Sequence, residues 1–119
     1  MKYILLIYGD ERSWASMSQA DMSAVYAGHR AYGEAMRQAG VMESGSELKP
    51  VATATSIRFT NGRPKTMDGP FAETKEQLAG YYVINVDNLE QAIGWAEKMP
   101  GMTNGTVEIR PMLSGNTTR

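Results

Sequence analysis

The stretch Lys2-Tyr3-Ile4-Leu5-Leu6-Ile7-Tyr8 decides how the rest of the chain must fold. Successive side chains of a strand point to opposite faces. Here Tyr3, Leu5 and Ile7 fall on one face and Ile4, Leu6 and Tyr8 on the other, so both faces are apolar and both need cover. Gly80 to Val86 repeats the pattern, with Tyr81 and Val83 on one side and Tyr82, Ile84 and Val86 on the other. Two such strands predict a sheet buried above and below.

Gly9 to Met17 reads as a polar connection, with Trp14 exposed or folded back. Ser18 followed by Asp21 gives the capped start of a helix that runs to about Ala39. Its apolar stripe is Met22, Val25, Tyr32, Met36 and Ala39, at helical spacing, and Gly40 supplies the stop. His29, the one histidine of the chain, fills the gap in that stripe and so points inward. Val41 to Pro50 suggests a short, irregular extended piece, and Thr53 to Thr60 a strand. Asn61-Gly62 is a strong hairpin signal that returns the chain through Pro64 to Met67. Ala72 to Leu78 is read as a loop or a single helical turn. Asn88 caps a second helix, with Leu89, Ala92, Ile93, Ala96 and Met99 expected inward and Pro100-Gly101 as its end. Thr106 to Met112 forms a last strand.

The resulting order, βαβββαβ, contains the split βαβ pattern of a ferredoxin-like α+β fold with an extra hairpin. Residues 1–112 are expected to form a single domain and residues 113–119 a frayed tail. Two helices cover one face of such a sheet, so the second face calls for a partner subunit, and patterning predicts a homodimer.

Composition narrows the function. The 119 residues carry 12 Lys and Arg against 13 Asp and Glu without runs of like charge, which gives no electrostatic footprint for nucleic acid or an anionic membrane. The first apolar run is too short for a signal peptide core or a membrane span, and a cytoplasmic location is expected. With no cysteine and one histidine, the chain has no thiolate nucleophile and no zinc motif; EF-hand spacing and a phosphate-binding glycine loop are also missing, so neither metal nor cofactor is expected.

Chemistry is concentrated at Asp68-Gly69-Pro70-Phe71. Gly and Pro shape a turn, Phe71 can pin it, and the Asp68 carboxylate is then held in place. An inward histidine and a fixed aspartate can form an imidazole–carboxylate pair in which Asp68 orients His29 and raises its pKa, fit for general acid/base work near neutral pH. The plainer alternative is a core histidine bonded to a carbonyl or hydroxyl, with Asp68 closing its own turn. Arg58, opposite in face to Ile57 and Phe59, is the candidate to clamp a substrate carboxylate, and Tyr82 is a second candidate contact; a solvated arginine is the ordinary alternative. Ser56 has no evident base, and the nine methionines read as core filling.

The extended motif from Met67-Asp68-Gly69-Pro70-Phe71-Ala72-Glu73-Thr74-Lys75 to Tyr81-Tyr82 resembles the YCII-related, DGPF-domain family. The likeness extends to the opening Met1-Lys2-Tyr3 strand ending Tyr8-Gly9-Asp10, to His29 before Tyr32, to Leu48-Lys49-Pro50 and to the closing Val107 to Pro111. It covers about residues 1 to 112. The resemblance implies a ferredoxin-like fold assembled as a dimeric α+β barrel. It implies less about activity: the broader group carries a His and Asp pair as a catalytic or pseudo-catalytic candidate, and His29 and Asp68 are the matching positions. Some relatives are associated with extracytoplasmic-function sigma factors. Two functions follow as expectations. One is a cofactor-free protein or enzyme that binds or transforms a small organic molecule with His29 and Asp68; the other is a non-catalytic regulatory or interaction protein, with a sigma-factor link carried by the resemblance alone.

Overall fold

A computed structural model describes residues 1–113; the expected tail lies, beyond Leu113, outside the described residues. In chain order the elements are β1 (Lys2–Gly9), α1 (Glu11–Ala15), α2 (Gln19–Gln38), β2 (Met42–Glu47), a 3₁₀ turn (Val51–Thr53), β3 (Thr55–Thr60), β4 (Arg63–Asp68), β5 (Gln77–Asn85), α3 (Leu89–Glu97) and β6 (Thr106–Pro111). Four strands make one antiparallel sheet in the order β2-β5-β1-β6, and β3 pairs with β4 in a separate two-stranded ribbon. With the ribbon set aside, β1-α2-β2-β5-α3-β6 is the ferredoxin-like arrangement, and the ribbon is an insertion between β2 and β5.

The core lies between the sheet and the helices on one face. Tyr3, Leu5 and Ile7 of β1 and Ile84 of β5 meet Tyr32 and Met36 of α2, Ala92 of α3, and the adjoining Val86 and Met99. The alternate residues Ile4, Leu6, Tyr8, Tyr81 and Val83 point to the other face, which carries no helix among the described residues, and are partly buried. The caps form as their side chains dictate. Ser18 Oγ accepts from the Asp21 amide and Asn88 Oδ1 from the Gln91 amide, while Gly40 ends α2 with a φ of 73°. Asn61 and Gly62 both take positive φ, 51° and 78°, as the tight hairpin turn requires.

Several local expectations change. The polar connection contains helix α1, started by Asp10, whose carboxylate accepts from the Arg12 amide. Of the two placements open to Trp14 it takes the folded-back one, its ring so close to Gly9 that a Cβ there would collide with Cζ2. The irregular piece after α2 is the edge strand β2, and the strand expected from Thr53 begins at Thr55, after the 3₁₀ turn. Strand β5 starts at Gln77, ahead of Gly80. On α3, Leu89 and Ile93 are exposed, and Trp95 packs against the core in their stead.

Candidate functional site

The inward stripe of α2 places His29 over β5. There His29 Nδ1 and the Tyr82 hydroxyl are 2.8 Å apart, a direct hydrogen bond, and the two rings lie nearly parallel with centroids 6.0 Å apart. Tyr82 reaches this position because its neighbour across the β2–β5 ladder is Gly45. A Cβ on Gly45 would stand 2.7 Å from Tyr82 Cδ1 and 3.1 Å from the Tyr81 carbonyl oxygen, so a larger residue would displace the ring. Tyr32 meets Tyr82 edge-on at 5.3 Å, and its hydroxyl donates to the Trp95 carbonyl at 2.6 Å, tying α2 to α3. His29, Tyr82, Tyr32 and Trp95 thus form a continuous aromatic run between helices and sheet, each contact contributing about 0.5–1.5 kcal/mol beyond area burial.

The electrostatics follow from partial burial. Burial lowers the His29 pKa below its ordinary 6.5, and the Glu47 carboxylate pulls it partly back up. The ring is therefore neutral at neutral pH, with one nitrogen able to accept a proton. Burial also raises the Tyr82 phenol, opposed by the field of Arg37. Glu47 accepts a hydrogen bond from the Tyr26 hydroxyl at 3.1 Å, which raises that phenol in turn. His29 Nε2 makes no hydrogen bond among the described residues, and no buried side-chain nitrogen or oxygen there lacks a partner. Nε2 is consequently open to solvent, on a ring whose other nitrogen is fixed.

The other expected site residues stand apart from this cluster. Asp68 ends β4, paired with Thr55 at the root of the ribbon, and is exposed; no hydrogen bond or ion pair joins it to His29 among the described residues. Arg58 lies on β3 and donates through Nη2 to the Phe71 carbonyl at 3.4 Å. Ser56 Oγ donates to the Gly69 carbonyl at 2.7 Å, so both side chains brace the turn that follows Asp68. The motif beyond it is a clamp: Gln77 Oε1 accepts from the Glu11 amide, the Glu11 carboxylate accepts from the Val51 amide, and Gln77 Nε2 donates to the Thr74 carbonyl. These groups border an open concavity of about 500 Å³, together with Asp10, Arg12, Glu73 and Lys75. Among the described residues, no cluster of three or more His, Asp or Glu side chains is placed to hold a metal ion.

Four residues of the cluster escaped the sequence reading, Trp95 among them. Tyr26, three positions before His29, shares its side of α2, which is a signal that spacing contains. Glu47 and Gly45 depend on the pairing of β2 with β5, which nothing local encodes.

The sequence model of the YCII-related domain family matches residues 1–114. An uncharacterised protein of Rhizobium meliloti (strain 1021) is 33% identical over 114 residues, spanning 94% of this chain and 92% of its own length.

Proposed function

We propose, from the premise that this chain belongs to the YCII-related domain family, that it binds or transforms a small organic molecule by proton transfer at His29. The observation that carries the reading is the half-buried imidazole itself, fixed at Nδ1 by Tyr82 and open at Nε2. In this reading Nδ1–H donates to the Tyr82 oxygen, which leaves the Nε2 lone pair facing the ligand as a general base. A pKa below 6.5 keeps that lone pair available at neutral pH. Tyr82 acts as a positioning residue and Glu47 stabilises the imidazolium once the proton arrives. Asp68 enters as the family-matched carboxylate. Among the described residues no hydrogen bond or ion pair joins it to the ring, so its share is read separately with Asp68→Asn. A second copy of the chain is proposed to cover the sheet face of Ile4, Leu6, Tyr8, Tyr81 and Val83, which the chain's own helices leave open.

The test uses the single histidine. The ring signals of His29 are followed by NMR while a panel of small carboxylic acids, phenols and enolisable ketones is added to the protein and to Tyr82→Phe. Saturable shifts centred on Nε2, with turnover or exchange of a ligand proton that His29→Gln abolishes, are expected. A panel that leaves the ring unmoved, or a ligand whose proton exchange survives His29→Gln, overturns the proposal.

A further inference from the structure

We infer that the β3–β4 ribbon is an arm that grips a second copy of this chain. The inference rests on the second copy proposed above, and adds to it the element that holds the pair together.

Among the described residues, no helix or further strand covers the ribbon. Its strands pack on each other and on no other helix or strand to a comparable extent. An isolated two-stranded hairpin is at best marginally stable in water. The described chain has a radius of gyration of 16.3 Å, against about 13 Å for a compact domain of its size, as an extended arm requires.

Both faces of the ribbon carry apolar groups. Ile57 (57% exposed) and Phe59 (67%) share one face with Pro64, while Phe71 (74%) follows the turn that Ser56 and Arg58 brace from the other. Phe71 borders an open concavity of about 370 Å³ with Ser56 to Phe59. Three large apolar side chains this exposed, two on the ribbon and Phe71 beside its root, mark an interaction surface.

Charge and area select a second copy as the occupant. The ribbon holds Arg58, Arg63 and Lys65 against Asp68 alone, so the rest of a chain with 12 basic and 13 acidic residues is left with an excess of acid. A basic arm is thereby complementary to the body of its own kind. The open face of the four-stranded sheet is roughly 20 Å by 20 Å, from strand rise and spacing, or about 400 Å². A stable interface needs about 800 Å² on each partner. A ribbon face of about 200 Å², laid by each copy on the other, provides the remainder.

Sedimentation equilibrium of the full chain tests this, with three variants. In the first, Ile57→Asp and Phe59→Asp are combined; in the second, residues 55–68 are replaced by two glycines, a short splice because Gly69 N already donates to the Ala54 carbonyl at 2.7 Å. The third, Leu6→Lys, addresses the sheet face. The native chain is expected at twice 13.1 kDa, with both ribbon variants weakening association about a hundredfold or more while keeping native circular dichroism. Association of the native chain is also expected to weaken as salt rises. Ribbon variants that associate as tightly as the native chain, while Leu6→Lys dissociates, overturn the arm and leave the sheet-face pair standing. A native chain that stays monomeric at about 0.1 mM, far above the dissociation constant of a specific interface of this size, overturns both. Should a ribbon variant fail to fold, a benzophenone side chain in place of Phe59 is decisive in the full chain: irradiation is expected to yield a covalent dimer, and its absence overturns the arm.

Discussion

Replacing Tyr82 by Phe removes one hydroxyl at nearly constant volume, and so isolates the 2.8 Å bond to His29 Nδ1. If Nδ1–H donates to the Tyr82 oxygen, the bond survives protonation of the ring and strengthens, because a charged donor gives about 1.5–3 kcal/mol where a neutral one gives about 0.5–1.5. The difference of about 1 kcal/mol corresponds to about 0.7 pKa unit. Partial access of water to the half-buried pair reduces this to about 0.3–0.7 unit. Tyr82→Phe is therefore expected to lower the His29 pKa further, beyond the lowering that burial already imposes. With the opposite tautomer the hydroxyl donates to a bare Nδ1, a bond that only the neutral ring can make, and its loss raises the pKa. The sign of the shift thus reports which nitrogen holds the proton. The assay is a long-range ¹H–¹⁵N titration of the single imidazole. A rise in pKa refutes the Nε2 general base; a change below about 0.1 unit refutes the bond itself. Loss of the bond also costs about 1 kcal/mol, or roughly 4 °C in Tm.

Gly45→Ala forces a Cβ to 2.7 Å from the Tyr82 ring, and is expected to cost about 1–3 kcal/mol in denaturant unfolding and to move the His29 resonances toward those of the Tyr82→Phe variant. Because burial keeps the folded His29 pKa below the unfolded value of about 6.5, the folded state binds fewer protons between those two values. Stability therefore falls as pH drops from about 6.5 toward the folded pKa, and His29→Gln is expected to flatten that part of a Tm-versus-pH curve. Leu5→Ala, at a fully buried position between sheet and helices, is expected to cost about 2–5 kcal/mol, whereas Ile93→Ala on the exposed side of α3 costs under about 1, both read by chemical unfolding. Glu11→Ala removes the acceptor for the Val51 amide and is expected to speed amide exchange at Val51, leaving the core strands protected.

What the sequence made legible is what local chemistry controls. The period of α2 carried His29 inward beside Tyr32 and Met36; Ser18 and Asn88 announced their helices, and Asn61-Gly62 its turn. Strand β2 was hidden because Met-Glu-Ser-Gly-Ser-Glu has almost no apolar alternation; as a largely exposed edge, it is specified by its ladder with β5 and not by burial. Helix α1 is too short for a period to emerge and rests on one Asp10 cap. Leu89 and Ile93 share a helical stripe in the sequence, but α3 is rotated so that Ala92, Trp95 and Ala96 face the sheet. The pairing of His29 with Tyr82 joins residues 53 positions apart, and the register of β5 that creates it cannot be read from either segment alone.

That register also separates the two functional questions. The chain leaves the His29 cluster at Glu47, runs out through the ribbon and re-enters the sheet at Gln77, five residues before Tyr82, so a load on the arm has a covalent route to both sides of the site. The route is interrupted at the root. Leu48 donates to the Ala79 carbonyl at 2.8 Å, Glu11 takes the Val51 amide, and Gln77 takes the Glu11 amide, so three contacts bind the outgoing and returning strands to the body before either reaches the cluster. Breaking one net hydrogen bond costs about 0.5–1.5 kcal/mol, and force from the arm must break several together to shift Tyr82. Arm variants should therefore change association without moving the His29 titration. If they move it, the root clamp is not rigid, and gripping a partner and tuning the imidazole are one coupled event.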